Sequence, residues 1–293
     1  MTPLSVVPSP RRAAVLGSPI EHSLSPVLHA AAYRILGLGW SYEAIECDEA
    51  QLPGVISNLD ESFVGLSLTM PLKRAILPLL DEMSDLARAV GAANTVLIEG
   101  LGPFLRRRGE NTDVPGMVAA IRAIRPDAGG AGIAGGNCVI LGAGGTAAAA
   151  VAALRELGVT RPTVVVRNRD RAGEVLDAAD RLGVVPDLVD WPGQAALASA
   201  ELVISTVPAG ATDLLAEDSP LRSGQLLFDV LYEPWPTPFA AAAQASGAQV
   251  IGGLELLVWQ AAFQVELMTG RPAPVDAMRA AGQAAIGSRP TGA

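Results

Sequence analysis

Short apolar runs alternate with segments of helical spacing along most of the chain, and most of the apolar runs end at a glycine or a polar residue. In the first half this alternation predicts a βαβαβαβ order. The predicted strands cover residues 13–17, 41–47, 64–69 and 95–98, and the predicted helices cover 25–37, 51–59, 71–80 and 84–90. Such an order is typical of a mostly parallel sheet covered by helices.

A second α/β unit follows a glycine- and alanine-rich stretch at residues 128–137, which has no hydrophobic period. Its predicted strands cover residues 138–141, 164–166, 202–205, 226–230 and 249–251. Its predicted helices are an alanine-rich one that ends at Leu157 and two more over 171–182 and 240–246. Residues 254–270 have helical spacing and no partner strand, so we expect this last helix to return to the first domain.

Composition narrows the class of protein. The chain has 293 residues, half of them hydrophobic, and a formal net charge of −9. Such a length favours two domains, since single cores rarely grow past about 250 residues. The acidic balance argues against nucleic-acid binding, which needs a basic face. Two cysteines exclude a disulfide scaffold and fit a reducing cytoplasm, and two histidines leave little scope for a histidine-based metal centre.

Targeting and membrane segments are not expected. Residues 1–10 lack the basic start and apolar run of a signal peptide. The longest apolar stretch, residues 138–154, is too short to span a bilayer comfortably. We therefore expect a cytoplasmic protein that binds a small molecule and neither a membrane nor nucleic acid.

A glycine-rich turn directly follows the predicted strand at residues 138–141 and opens a helix. Its sequence is Gly142-Ala143-Gly144-Gly145-Thr146-Ala147. In this arrangement a pyrophosphate lies on backbone N–H groups at the helix N-terminus, and the second glycine lets the backbone approach it. The pattern predicts a dinucleotide site, although a glycine-rich turn without a ligand is the simpler alternative.

The residues after the next strand indicate which dinucleotide. Units that bind NAD usually carry an acidic residue there, whereas this strand is followed by Arg167-Asn168-Arg169-Asp170-Arg171. Guanidinium groups suit a 2′-phosphate, so the run favours NADP by about one to two decades in affinity. Asp170 leaves two alternatives open, because it could neutralise an arginine or accept from a ribose 2′-hydroxyl. A solvated charged turn is the alternative without a ligand.

Polar residues cluster at the predicted strand ends of the first domain. Ser23 and Ser25 precede a helix, and paired hydroxyls beside helix N–H groups suit a carboxylate, although Ser25 alone could simply cap the helix. Further polar groups occur in Thr69-Met70-Pro71-Leu72-Lys73, in Gly91-Ala92-Ala93-Asn94-Thr95 and in Asn111-Thr112-Asp113.

These motifs, taken in order, resemble the shikimate dehydrogenase family. The resemblance covers nearly the whole chain and includes residues 229–232, 237–238 and 253–260. It implies an α/β protein with an N-terminal, mostly parallel substrate-binding domain over residues 1–115 and 252–293. A Rossmann-like NADP-binding domain would cover residues 116–251, with a cleft between the two domains. The implied enzyme is an NADP-dependent oxidoreductase that reversibly reduces 3-dehydroshikimate to shikimate in the chorismate pathway to aromatic amino acids.

The resemblance also assigns roles to single residues. Lys73 and Asp113 match the catalytic pair, which would exchange a proton with the C3 oxygen; an ordinary salt bridge is the alternative. The implied substrate-binding residues are Ser23, Ser25, Thr69, Lys73, Asn94, Asp113, Tyr232 and Gln260. The implied cofactor-binding residues are Gly142, Ala143, Gly144, Gly145, Thr146, Asn168, Arg169, Asp170, Arg171, Val230, Gly253 and Asp85.

Three other functions stay open. A quinate/shikimate dehydrogenase that uses NAD is the nearest alternative, and a non-catalytic NADP-binding regulator of the same fold is the alternative from another class. A dehydrogenase of another small acid is the third. For the oligomeric state, a monomer or a homodimer is expected.

Overall fold

The computed structural model describes residues 11–100, 102–128, 133 and 136–288, and the chain divides into two compact units. Among these described residues, unit 1 contains those up to Ser84, those of Ala93–Glu110 and those from Ala261 onward. Unit 2 contains Asp85–Ala92 and Asn111–Gln260. Compared with the predicted boundaries, segments 85–92, 111–115 and 252–260 lie in unit 2. The expectations for residues 1–10, and for most of 128–137, fall outside the described residues.

Strands and helices alternate along most of the chain. The strands are β1 (Arg12–Gly17), β2 (Ser41–Glu46), β3 (Phe63–Leu68), β4 (Glu82–Met83), β5 (Thr95–Glu99), β6 (Arg106–Glu110), β7 (Cys138–Leu141), β8 (Thr163–Val166), β9 (Asp187–Asp190), β10 (Leu202–Ser205), β11 (Leu226–Asp229) and β12 (Gln249–Ile251). The helices are α1 (Ser25–Ile35), α2 (Leu52–Ser57), α3 (Leu72–Ala75), α4 (Asp85–Val90), α5 (Asp113–Ile124), α6 (Gly145–Glu156), α7 (Gly173–Leu182), α8 (Gln194–Ser199), α9 (Asp213–Glu217), α10 (Pro238–Ala245), α11 (Gly253–Thr269) and α12 (Val275–Gly287).

Unit 1 contains a mixed six-stranded sheet in the order β2-β1-β3-β5-β6-β4. Three of its strand pairs are parallel (β1 with β2, β1 with β3, and β4 with β6). The pairs β3–β5 and β5–β6 are antiparallel. The sequence pattern does not predict β6, because its arginines interrupt any apolar alternation. Arg107 and Arg108 instead pair with Asp81 and Glu99 beside the strand.

Unit 2 contains a fully parallel six-stranded sheet in the order β12-β11-β10-β7-β8-β9. This is the doubly wound order of dinucleotide-binding folds, so the predicted α/β fold with a Rossmann-like unit is confirmed. Its central strands are buried on both faces, which explains their uninterrupted apolar sequences. Ile140 and Val164 belong to the core on one face, with α5, α6 and α7, whereas Leu141 and Val165 belong to the core on the other.

Several elements are shorter than predicted or were not predicted. The helix expected over 71–80 ends at Ala75 and is followed by a 3-10 turn at Leu77–Leu79, because Pro78 has no N–H to continue an α-helix. Strand β9 was missed because it is a half-exposed edge strand that begins and ends with aspartate. Among the described residues no helix has the length and apolar content to cross a membrane.

Strand β7 and helix α6 are joined by a turn in which two glycines play different parts. Gly142 has a φ of +107°, and a Cβ there would lie 2.6 Å from Thr206 Oγ1. Gly144 has a φ of −88° and caps α6, and a Cβ there would have no atom within 4 Å. The turn therefore requires glycine at position 142, whereas position 144 borders open space.

Matched substitutions separate the two glycines. We expect Gly142→Ser to lower the free energy of unfolding by about 1–3 kcal/mol, because serine is strained at this φ and its Cβ collides with Thr206. Gly144→Ser should change it by less than about 0.5 kcal/mol, since serine is also a good helix cap. Urea unfolding of both variants measures the difference, and equal losses of stability would contradict this account of the turn.

Candidate functional site

In unit 2 the loops after β7, β8 and β10 meet at the carboxyl edge of the sheet. Strand order reverses between β7 and β10, and ligands of doubly wound sheets bind at such a point. An open cavity of about 840 Å³ occurs there. Its lining consists of residues 142–144, 165–168, Arg171, Glu174, Trp191 and 206–208.

The glycine-rich turn supplies the floor of this cavity. Gly142, Ala143 and Gly144 line it, and Gly145 and Thr146 form the first turn of α6. The first N–H groups of a helix have no partner within the helix, and they carry the positive end of its dipole. A Cβ at Gly144 or Gly145 would have no atom within 4 Å, so the space above the turn can admit a phosphate group. The turn therefore has room for the phosphate group that the sequence predicts, and its binding stays a prediction.

The arginines after β8 point in different directions. Arg167, Asn168 and Arg171 line the cavity, together with Glu174. Arg169 instead donates to Asp190 at 2.7 Å and to the Leu188 carbonyl at 3.2 Å, and this hydrogen bond lowers the pKa of Asp190.

Asn168 and Arg171 therefore lie where the sequence predicts nucleotide contacts, whereas Arg169 and Asp170 are not among the lining residues. Arg167 is the first residue of the run from which the sequence predicts NADP, although the resemblance does not include it among the cofactor-binding residues.

Two other predicted cofactor residues contact each other. The Val230 N–H donates to the Ser205 carbonyl at 3.0 Å. A Cβ on Gly253 would lie 2.0 Å from the Val230 carbonyl oxygen, so only glycine permits this approach. Asp85 lies elsewhere in unit 2, at the start of α4, where it is exposed and pairs with Arg88 at 2.8 Å.

The loop that carries Tyr232 is fixed by a buried carboxyl group. Asp229 accepts from Thr237 Oγ1 at 2.7 Å and from the Leu231 N–H at 3.2 Å. Thr237 in turn accepts from the Ala240 N–H and caps α10. Burial raises the pKa of Asp229, and the hydrogen bond from Thr237 opposes that shift. Tyr232 therefore lies on a short loop that is anchored at both ends.

Asp113 and Gln260 are brought close together in unit 2. Asp113 is buried in the first turn of α5, where Asn111 accepts from the Val114 N–H at 3.3 Å. One turn further along, a Cβ on Gly116 would lie 3.1 Å from the Gln260 backbone nitrogen. Helices α5 and α11 thus approach closely at Gly116, which lies one turn along α5 from Asp113.

In unit 1, backbone hydrogen bonds gather three predicted substrate residues at one edge of the sheet. The Thr69 N–H donates to the Leu16 carbonyl at 2.9 Å. The Leu68 N–H donates to the Asn94 carbonyl at 2.8 Å, and the Ala93 N–H donates to the Lys73 carbonyl at 2.8 Å. Thr69, Lys73 and Asn94 therefore occupy neighbouring positions where β3 ends and β5 begins.

Ser23 and Ser25 lie on the loop between β1 and α1. The Ser18 N–H donates to the Met70 carbonyl at 3.0 Å, which ties the start of this loop to the Thr69 segment. The Ser25 N–H donates to Ser23 Oγ at 3.3 Å. The cap residue of α1 is Leu24, so Ser25 does not cap the helix. Lys73 belongs to unit 1 and Asp113 to unit 2, and their pairing stays a prediction.

Two family models match the chain. Residues 15–96 match the shikimate dehydrogenase substrate binding domain, and residues 253–281 match the shikimate 5′-dehydrogenase C-terminal domain. The first match covers the Ser23, Ser25, Thr69, Lys73 and Asn94 positions, and the second covers Gly253 and Gln260.

Similar proteins match over most of their length. Shikimate dehydrogenase (NADP(+)) of Thermosynechococcus vestitus is 37% identical, with 94% of this chain and 95% of that protein covered. The crystal structure of Mycobacterium tuberculosis shikimate dehydrogenase is 45% identical with a TM-score of 0.83, and 94% of this chain and all of that chain are covered.

A third relative, shikimate 5-dehydrogenase from Thermus thermophilus in complex with NADP(H) and shikimate, has 37% identity and a TM-score of 0.80. The match covers 94% of this chain and 99% of that one. Near-complete coverage at these identities, together with the glycine cradle and the cluster of polar residues in unit 1, shows that the chain belongs to the shikimate dehydrogenase family.

Proposed function

We propose that this chain catalyses the reversible, NADP-dependent reduction of 3-dehydroshikimate to shikimate, a step of the chorismate pathway to aromatic amino acids. The observation that carries the proposal is the identity of residue 73. Of the 21 cationic residues in the chain, 20 are arginine and Lys73 alone is lysine. A lysine can release its proton, whereas an arginine stays charged in proteins. A chain that otherwise uses arginine thus has its single lysine at a position that neighbours Thr69 and Asn94.

NADP fits the cavity of unit 2. The N-terminus of α6 and the open space above Gly144 suit the pyrophosphate, and Arg167 and Arg171 suit the 2′-phosphate. Arg169 is engaged by Asp190, so preference for NADP rests on the other two arginines. Val230 and Gly253 are proposed to border the cofactor further along the same edge. NADPH supplies the hydride when bound, and the protein supplies orientation and charge.

Substrate binding is assigned to hydroxyl and amide groups. Ser23 and Ser25 are proposed to bind the carboxylate. Thr69, Asn94, Tyr232 and Gln260 are proposed to contact the ring and its hydroxyl groups. Hydrogen bonds hold the segments that carry Ser23, Ser25, Thr69 and Asn94. Gln260 packs against Gly116, and Tyr232 lies on a loop anchored by Asp229. Such rigidity favours catalysis because the reacting groups are ordered before the substrate arrives.

Lys73 and Asp113 are proposed as the catalytic pair. Reduction of a ketone builds negative charge on its oxygen, and Lys73 Nζ donates a proton to that oxygen. In the oxidation of shikimate, Lys73 accepts the proton back. The Asp113 carboxylate stabilises the ammonium form of Lys73, which is the form present before reduction and after oxidation. Acid–base help of this kind contributes about 10²–10⁴-fold to the rate.

The remaining parts of the proposal are coarser. We place the enzyme in the cytoplasm, as a monomer or a homodimer. A quinate/shikimate dehydrogenase that uses NAD is the second candidate, and it is not favoured, because Arg167 and Arg171 line the nucleotide cavity whereas Asp170 does not. A non-catalytic regulator of the same fold has no residue here that favours it over the enzyme.

An assay with two substrates and two cofactors tests the function. We expect the highest kcat/KM for shikimate with NADP, and a value lower by about 10–100-fold for shikimate with NAD, which corresponds to the loss of one charge-assisted hydrogen bond to the 2′-phosphate. Initial rates of nicotinamide reduction give all four values. Preference for quinate with NAD would establish the second candidate. No reduction with either substrate would contradict an enzymatic role.

Substitutions at position 73 test the catalytic pair. Lys73→Arg keeps the charge and should still lower kcat by about 10²–10⁴-fold, as should Lys73→Ala, because neither side chain exchanges a proton. Lys73→Ala combined with Asp113→Asn should lower kcat little more than either single change does, because the effects of residues that act as a unit are not additive. Arg74→Ala, an exposed neighbour on the same helix, is the matched control and should keep full activity. Normal turnover of Lys73→Arg would remove the residue from proton transfer.

A further inference from the structure

Gln264 lies at the centre of buried polar side chains in unit 1 to which the proposed function gives no role. It is fully buried on α11. Its Oε1 accepts from Ser67 Oγ at 2.8 Å and lies 3.3 Å from His29 Nε2. Its Nε2 donates to Thr95 Oγ1 at 3.0 Å and to the Asn94 carbonyl at 3.4 Å. Both acceptor sites and both N–H groups of the amide are therefore satisfied.

The donors that surround Gln264 allow only one orientation of its amide. Burial lowers the pKa of His29 to about 3, so the imidazole is neutral near pH 7. Tyr33 OH lies 3.4 Å from His29 Nδ1, and with the imidazole proton assigned to Nε2, Tyr33 donates to Nδ1 while Nε2 donates to Gln264 Oε1. Tyr42 OH donates to Ser67 Oγ at 2.6 Å, and the Ser67 hydroxyl in turn donates to Gln264 Oε1. A flipped amide would place its N–H groups against these donors.

The fixed amide determines the direction of the next hydrogen bonds. Because Gln264 donates to Thr95 Oγ1, the Thr95 hydroxyl proton points to another acceptor. That acceptor is Asn94 Oδ1, at 3.0 Å. The carboxamide oxygen of Asn94 therefore faces Thr95, and its Nδ2 faces the other way. Asn94 and Thr95 are both buried, so a flipped amide would leave the Thr95 hydroxyl facing an N–H group.

We propose that Gln264, acting through Thr95, holds the Asn94 amide so that Nδ2 donates to a ring hydroxyl of the substrate. Gln264 is then a positioning residue that sets specificity, because a site built to bond a hydroxyl discriminates against an analogue that lacks it. The inference rests on the proposed function, in which Asn94 contacts the substrate ring. It adds recognition of a ring hydroxyl group, which the catalytic pair and the carboxylate-binding serines do not supply.

Deoxy analogues of the substrate test this role. Gln264→Met and Thr95→Val should each lower kcat/KM for shikimate by about 10–100-fold, mainly through KM, and leave KM for NADP unchanged. One of the two analogues, 4-deoxyshikimate or 5-deoxyshikimate, lacks the hydroxyl that Asn94 bonds. With that analogue the variants should have the same kcat/KM as the wild type. Thr95→Ser keeps the hydroxyl and should therefore keep the wild-type preference for shikimate over that deoxy analogue. Asn94→Ala combined with Gln264→Met should be no worse than Asn94→Ala alone.

Two results would overturn the inference. An equal loss on shikimate and on both deoxy analogues would show that Gln264 only stabilises the fold. Wild-type discrimination in Thr95→Val would show that Thr95 does not orient Asn94. If Gln264→Met fails to fold, the comparison of Thr95→Val with Thr95→Ser on the same substrates provides the test. A wild-type chain that does not oxidise shikimate overturns the proposed function itself, whereas an active wild type with uniform losses overturns this inference alone.

Discussion

The parallel alignment of β7, β8, β10 and β11 is the constraint on which the nucleotide site depends. Parallel strands bring all their carboxyl ends to one edge, and the reversal of order between β7 and β10 opens a space there. Four loops that are far apart in sequence thereby become neighbours. The close approaches of Gly142 to Thr206 and of Gly253 to Val230 follow from this packing, and they explain why glycine occupies both positions.

Unit 1 gathers its functional residues by a different route. Its sheet is mixed, and the antiparallel β5 brings its first residue to the edge where the parallel strand β3 ends. Asn94, Thr69 and Lys73 therefore meet through backbone hydrogen bonds. Behind them, the polar cluster around Gln264 directs its hydrogen bonds toward Asn94. A buried network of this kind is favourable only when every member is satisfied, which makes the orientation of Asn94 specific.

The elements that the sequence predicts most accurately are the strands that are buried on both faces of the sheet. The strands of the unit 2 sheet were predicted wherever they form continuous apolar runs, and the glycine-rich turn was predicted because its chemistry is local. Strand β9 has no such pattern and was not predicted. Because Asp190 belongs to this strand, its pairing with Arg169 was not predicted either, and Arg169 was expected to bind the nucleotide.

The polar cluster of unit 1 was harder to predict because its members come from distant segments. Gln264 follows Gln260 by four residues, and the sequence alone does not indicate which neighbours each meets. His29 is fully buried, and it precedes Gln264 by 235 positions in the sequence. The direction of the hydrogen bonds depends on tertiary contacts between residues more than 160 positions apart, such as Thr95 and Gln264.

The carboxyl edge of unit 2 is proposed to bind a nucleotide that bears a 2′-phosphate through Arg167 and Arg171. Calorimetric titration with adenosine 2′,5′-bisphosphate and with 5′-AMP isolates that phosphate from the rest of NADP. We expect the bisphosphate to bind about 10–100-fold more tightly, and Arg171→Ala to remove most of the difference, while Arg169→Ala leaves it intact. Equal affinities of the wild type for the two nucleotides would contradict the account.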